Sequence, residues 1–302
     1  MQMLFQVGIA RRAVLIYLWN PLVVVEFAHG AHVDALMLCG MLAAFYFLLP
    51  VEPGSARRGR VLASALSLAA AVLSKGLAIL VMPLLARRWR GLGLAGFAAA
   101  VLGALAWSAV GPGWGLGSEL DGRGLFGALR IYQQYWRFNA GLYHWLAGLD
   151  VLQPELLRTL LAALTGLAAL FAGLLAWRGD HPQLGRLPRR NRRLLRLALL
   201  PLGVYLLLAH TVHPWYVTLI VPFLPFLHPA AGETGRSARW IWPGVYFSLA
   251  AALSYLTYLD PQNWREYELV RLVEYLPLYA LLLWAAWPFL ARWLHSRKAL
   301  QA

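Results

Sequence analysis

The chain has 302 residues, of which 60% are hydrophobic and only 13% charged, with 14 tryptophans and a formal net charge of +14. A soluble domain carries about 25% charged residues, so the composition excludes a soluble globular protein and points to an integral membrane protein. The basic residues fall in short clusters between apolar runs, the positive-inside pattern, which accounts for the charge without nucleic acid as a partner.

The start, MQMLFQVGIARRAVLIYLW, places Arg11 and Arg12 inside the first apolar stretch and has no small-residue cleavage site, so no cleavable leader is expected. A first span is predicted over residues 10–28 and a second over 35–50. Asn20-Pro21 predicts a helix kink. Between the two apolar runs, WNPLVVVEFAHGAHVDALML gathers Glu26, His29, His32 and Asp34. Ionisable groups at membrane depth or at its surface are functional-site candidates. Cys39 is the single cysteine; it rules out a disulfide framework and is expected as a small core residue.

Residues 61–86 lie between the clusters Arg57, Arg58, Arg60 and Arg87, Arg88, Arg90. A single crossing would put one cluster on the wrong side. Lys75-Gly76 interrupts the run near its middle, and about 12 residues of helix cover only about 18 Å. The segment therefore predicts a re-entrant pair of short helices with Lys75 at the tip, on the outer side. Broken helices are tolerated at membrane depth where they are buried or line a cavity.

A further span is predicted over 91–110, followed by an extracytoplasmic loop at 111–153. The loop opens with GPGWGLG and continues through RIYQQYWRFNAGLYHWL, an aromatic and polar stretch suited to the membrane interface. Spans follow at 154–177, 195–209, 215–229, 241–258 and 271–290, with a cytoplasmic basic loop at 178–196. The expected fold is thus all-α, a polytopic transmembrane bundle of about eight full spans plus the re-entrant pair, forming one domain over 1–302. Most of the 27 lysines and arginines fall on its inner side. Residues 26–34, Lys75, the 111–153 loop, 210–216 and 260–268 then share the outer face. There is no internal repeat of the kind that builds inverted-repeat transporters.

Each candidate group has a plainer alternative. Glu26-x-x-His29 and His32-x-Asp34 have spacings suited to holding a divalent metal or to deprotonating a hydroxyl; alternatively Asp34 is only the N-cap of the next helix. Lys75 suits a phosphate head group as a point charge; the alternative is snorkelling from an ordinary helix. His210-x-x-His213-Pro-Trp-Tyr216 offers imidazole and aromatic faces for a sugar ring and a phosphate, or else anchors an aromatic belt. Arg130, Arg137 and Asn139 suit phosphate or sugar hydroxyls, with interfacial snorkelling as the alternative for the arginines. The charge run 189–196 is expected to fix topology on the inner face.

These elements resemble a known family. WNPLVVVEFAHGAHVDALM resembles the NPL…E…GHxDALM element of bacterial polytopic glycosyltransferases of the GT-C superfamily, most closely the polyprenol-phosphomannose-dependent mannosyltransferases and their relatives. LSKGLAILVMPLLARR is similar to the LxKGxxxxxxPLL element shared with lipid-linked sugar transferases such as the aminoarabinose transferases. YWRFNAGLYHWL resembles the family's FN-x-x-LY segment, and HPWYVTLIVPFL its PWY-containing exit helix.

The resemblance implies transfer of a sugar, mannose or another hexose, from a polyprenyl-phosphate carrier to a hydroxyl of a glycan or glycolipid acceptor. The reaction would take place on the extracytoplasmic side of a bacterial inner membrane, without a nucleotide. Lys75, with Arg137, is then the candidate for the donor phosphate. His29, His32, Asn139, His210, His213 and Tyr216 are candidates for substrate contact. No cofactor is expected, a divalent metal being the alternative.

In the resembled family the catalytic aspartate lies in a first extracytoplasmic loop, after an N-terminal helix and before the NPL element; on this resemblance, that helix, loop and aspartate are expected to be missing ahead of WNPL. Three explanations stay open: a truncated chain, a base supplied by a partner, or a base relocated to Asp34 with Glu26 as orienter. Two competing functions are a transporter or flippase for a lipid-linked or anionic solute, and a non-catalytic accessory subunit.

Overall fold

The computed structural model describes residues 1–51, 57–110, 131, 132, 135–181, 183, 185–231, 233, 235–259, 262 and 264–301. The GPGWGLG opening of the expected loop, Arg123, Arg130 and Asp260 lie outside the described residues. Among those described, regular structure is helical, and the one extended pairing is an isolated bridge between Phe138 and Thr211. Among the described residues, three helices are long and apolar enough on their own to cross a bilayer: Gly76–Trp107, Pro154–Gly179 and Glu268–Ala291. The protein is an all-α integral membrane protein. It divides into two compact units, one of Gly30–Val212 and one of Met1–His29 with His213–Ala302.

In the unit Gly30–Val212, helix α1 (Asp34–Leu48) buries Met37, Leu38, Met41, Ala44, Phe45 and Leu48. That three-to-four-residue recurrence makes one apolar stripe. Cys39 falls off the stripe and is exposed, so the expected core position is corrected. The stripe packs on α2 (Arg58–Ser74). The two backbones approach closely at Gly40, where an added Cβ would stand 2.8 Å from the Ser67 carbonyl oxygen. Small residues permit such contacts between membrane helices. Ser64 of α2 donates to the Ala44 carbonyl at 2.8 Å and accepts from the Trp89 indole at 2.8 Å, so its buried hydroxyl is satisfied on both sides.

Helix α2 stops at Ser74. Lys75 is extended (φ −158°, ψ 119°), and a 3-10 stretch, Gly76–Val81, leads into α3 (Met82–Val110), which kinks at Arg90 (φ 52°). The break predicted at Lys75-Gly76 is present. The helix that follows is broken at Arg90, where the backbone leaves the helical region (φ 52°, ψ −155°), just ahead of the stretch expected as the next span.

The short helix α4 (Leu142–Gly148) is followed by α5 (Pro154–Gly179), whose 26 residues reach about 39 Å. Helices α6 (Leu187–Leu197) and α7 (Leu199–Leu208) complete the unit. A buried polar knot ties four of these segments together. Arg88 of α3 pairs with Asp180 at the end of α5, and donates to Asn191 of α6 at 2.7 Å and to the Leu48 carbonyl of α1 at 3.2 Å. Asn191 in turn donates to the Leu49 carbonyl at 2.6 Å. Within the 189–196 run, Arg190, Asn191 and Arg192 are buried, so part of this run serves packing.

In the other unit, Asn20 accepts from the Leu22 amide at 3.1 Å and donates to Ser248 at 2.7 Å. With Pro21 in the first helical position it caps a new helical segment, which accounts for the expected kink. That segment continues as a π-helix over Val24–His29. The apolar runs expected at 215–229 and 241–258 are partly 3-10, over Val221–Leu227 and Ala251–Leu259. Pro222 and Pro225 withhold the amides that an α-helix needs in the first of these. Helix α8 (Ile241–Ala250) precedes the second, and α9 (Glu268–Gln301) closes the chain.

Candidate functional site

Lys75 and Asp34 come from two different apolar runs and meet in the unit Gly30–Val212. The Lys75 ammonium donates to Asp34 Oδ1 at 2.7 Å, with the lysine side chain 20% exposed and the aspartate 1%. Local geometry puts them there. Asp34 is the first residue of α1 and makes no capping bond; Val33 holds the N-cap position. The alternative reading of Asp34 as only an N-cap is not met: its side chain bonds Lys75. Lys75 sits at the break after α2, ahead of the Gly76–Trp107 helix, whose N-terminal amides favour negative charge. The 3-10 stretch that follows Lys75 packs on α1, α2, α5 and α7.

A second cluster lies in the same unit. The Phe138–Thr211 bridge fixes the FNAGLY segment against the end of α7: Val212 donates to the Phe138 carbonyl at 2.8 Å, and Thr211 to the Trp136 carbonyl at 3.0 Å. His210 thereby faces the Tyr143 ring edge-on at 5.9 Å and the Tyr132 ring at 6.3 Å. Tyr143 packs with Ala140, Leu157 and Leu161. Asn139 is buried at 4% exposure, with φ 45°, while Arg137 is exposed and His32 half-buried.

His210 lies beyond the end of α7. Burial pushes its pKa down to about 4, helped by the positive charges of Arg158 and Arg137. The ring is thus neutral at pH 7, offering one donor and one acceptor nitrogen. Its Nε2 and the Tyr143 hydroxyl are both buried and have no hydrogen-bond partner within the described residues. Tyr205 of α7 lies within electrostatic reach of both Asp34 and Tyr132.

The remaining predicted residues belong to the other unit. Glu26 is 1% exposed within the π-helix and accepts from the Tyr255 hydroxyl at 2.6 Å. A π-turn widens a helix and recurs at functional positions. His29 ends that helix and is exposed. His213, 2% exposed, stacks on Trp215 at 4.3 Å and meets Tyr216 edge-on at 5.5 Å. Among the described residues no three His, Cys, Asp or Glu side chains gather as a metal site.

Tyr143, Tyr205, Tyr255 and Arg158 were not foreseen as site residues. Each tyrosine is one aromatic in an apolar helix, with no spacing that sets it apart; Tyr143 alone carried a signal, as the last residue of FN-x-x-LY. Glu274, wholly buried, and Arg271, paired with Glu266 and Glu268, were likewise missed as interior groups.

Residues 4–91 match the model of the MptA_B family, described as alpha-(1->6)-mannopyranosyltransferase, N-terminal domain. The match includes Glu26, Asp34 and Lys75 and supports a glycosyltransferase. No curated protein and no solved structure matches the chain.

Proposed function

We propose that the chain is a membrane glycosyltransferase moving mannose or another hexose from a polyprenyl-phosphate carrier to an acceptor hydroxyl on the extracytoplasmic side. The observation that carries this reading is Lys75. A partly exposed ammonium stands at the head of a long apolar helix and beside a buried carboxylate, as an anionic lipid head group and a hydroxyl nucleophile together require. In the reaction, the acceptor oxygen attacks the anomeric carbon while the bond from that carbon to the phosphate oxygen breaks. Asp34 takes the hydroxyl proton, and the phosphate leaves with the electron pair beside Lys75. His32, Asn139, Arg137 and His210 supply sugar and phosphate contacts in the same unit. The assignment rests on that unit alone.

The test is incubation of the full chain in lipid with polyprenyl-phosphate-mannose labelled in the sugar. Labelled acceptor together with free polyprenyl phosphate supports the proposal. Intact donor carried across the bilayer, with its sugar–phosphate bond unbroken, contradicts it in favour of a flippase.

A further inference from the structure

Lys75 has two claims on it, and they conflict. Its ammonium is bonded to Asp34 at 2.7 Å, yet the proposed function asks the same group to hold a phosphate. Asp34 is sealed at 1% exposure while Lys75 keeps 20%, Ser74 and Gly76 are exposed, and nothing stands within 4 Å of where a Gly76 Cβ would be. The exposed part of Lys75 is where an incoming anion would meet it.

Resting on that functional reading, we propose that Asp34 is the resident anion of the phosphate seat, and that donor phosphate and Asp34 compete for Lys75. A buried carboxylate deprived of its counter-charge is strongly disfavoured. As the phosphate draws the ammonium away, the Asp34 carboxylate it covered is uncovered and regains neutrality by accepting a proton, which the acceptor hydroxyl supplies in its place. The acceptor O–H bond breaks, Asp34 Oδ–H forms, the new carbon–oxygen bond forms, and polyprenyl phosphate departs with the electrons of the broken bond. When Asp34 later releases its proton to water, the carboxylate reclaims Lys75 and ejects the spent carrier. Donor binding, proton uptake and product release are coupled through one lysine.

The discriminating experiment is titration of polyprenyl phosphate alone onto the full chain in lipid nanodiscs, read by tryptophan fluorescence. The variants are Asp34→Asn and Lys75→Met, with Asp34→Ser as a second removal of the charge in case the asparagine chain does not fold. Competition predicts that removing the Asp34 charge tightens polyprenyl-phosphate binding by about tenfold or more, while sugar transfer is lost and Lys75→Met abolishes binding. Binding that is unchanged or weaker without the Asp34 charge, but still dependent on Lys75, overturns the competition and leaves the functional reading standing. Equal binding by the parent and Lys75→Met overturns both.

Discussion

Arg88 and Asp180, 92 residues apart in the chain, face each other through two parallel hydrogen bonds, Nε to Oδ2 at 2.8 Å and Nη2 to Oδ1 at 2.7 Å. Both side chains are nearly sealed, at 1% and 9% exposure. Removing Arg88 leaves the buried Asp180 carboxylate with Arg190 4.0 Å away in place of a two-point partner, and breaking a buried pair costs about 3–5 kcal/mol. Arg88→Met is expected to lower the thermal unfolding midpoint in detergent sharply. Arg88→Met with Asp180→Leu should recover part of the loss, since the Asp180 carboxylate is then no longer buried without Arg88.

Gly40 controls the spacing between α1 and α2. A side chain there meets the Ser67 carbonyl and Ala71, and backbone atoms do not yield as a flexible side chain would. Gly40→Val is expected to cost about 1–3 kcal/mol. Because α1 begins with Asp34 and α2 ends next to Lys75, it should also weaken sugar transfer. Thermal unfolding and initial rates on the same preparation measure both effects.

His210 makes stability depend on pH. Its pKa is about 4 in the folded chain against 6.5 for an ordinary histidine. Between those values the unfolded chain binds more protons, so stability is complete above about pH 6.5 and declines as pH falls toward 4. His210→Gln should flatten that part of a plot of unfolding midpoint against pH. An unchanged slope would mean that other groups carry it.

The Tyr255 hydroxyl donates to a carboxylate that is almost wholly buried. Tyr255→Phe removes that donor from Glu26 at a cost of about 1–3 kcal/mol. Glu26→Gln keeps an oxygen to accept the bond and should be milder in thermal unfolding. If Tyr255→Phe is as stable as the parent, the bond does not hold the π-helix in place.

The helical membrane character, the break at Lys75 and the contrast of Asp34 and Glu26 with their apolar surroundings were legible in the sequence, because each rests on local contrast. A charge inside an apolar run and a Lys-Gly pair in mid-helix are visible without a fold. What those groups touch was not legible. Asp34 and Lys75 were singled out separately, and only the packing of α1 on α2 brings them to 2.7 Å.

Arg88 shows the opposite failure. In sequence it is one of three arginines flanking an apolar run, and such clusters ordinarily stay solvated. Its burial depends on Asp180 and Asn191, which lie about a hundred residues downstream and carry no mark of the partnership. The apolar runs at 215–229 and 241–258 hid their helix type in a third way. Hydropathy measures how greasy a stretch is, and the 3-10 turns around Pro222 and Pro225 do not alter it.

The central claim is that Lys75 is the cation on which sugar transfer turns. The most direct measurement is kcat/KM for hexose transfer from polyprenyl-phosphate-mannose by the full chain in lipid, parent against Lys75→Ala, with both shown to be folded by thermal unfolding. The account predicts a fall of about 100-fold or more, the scale expected when a charge-stabilising donor to a leaving group is lost. Transfer by Lys75→Ala at the parent rate would contradict it.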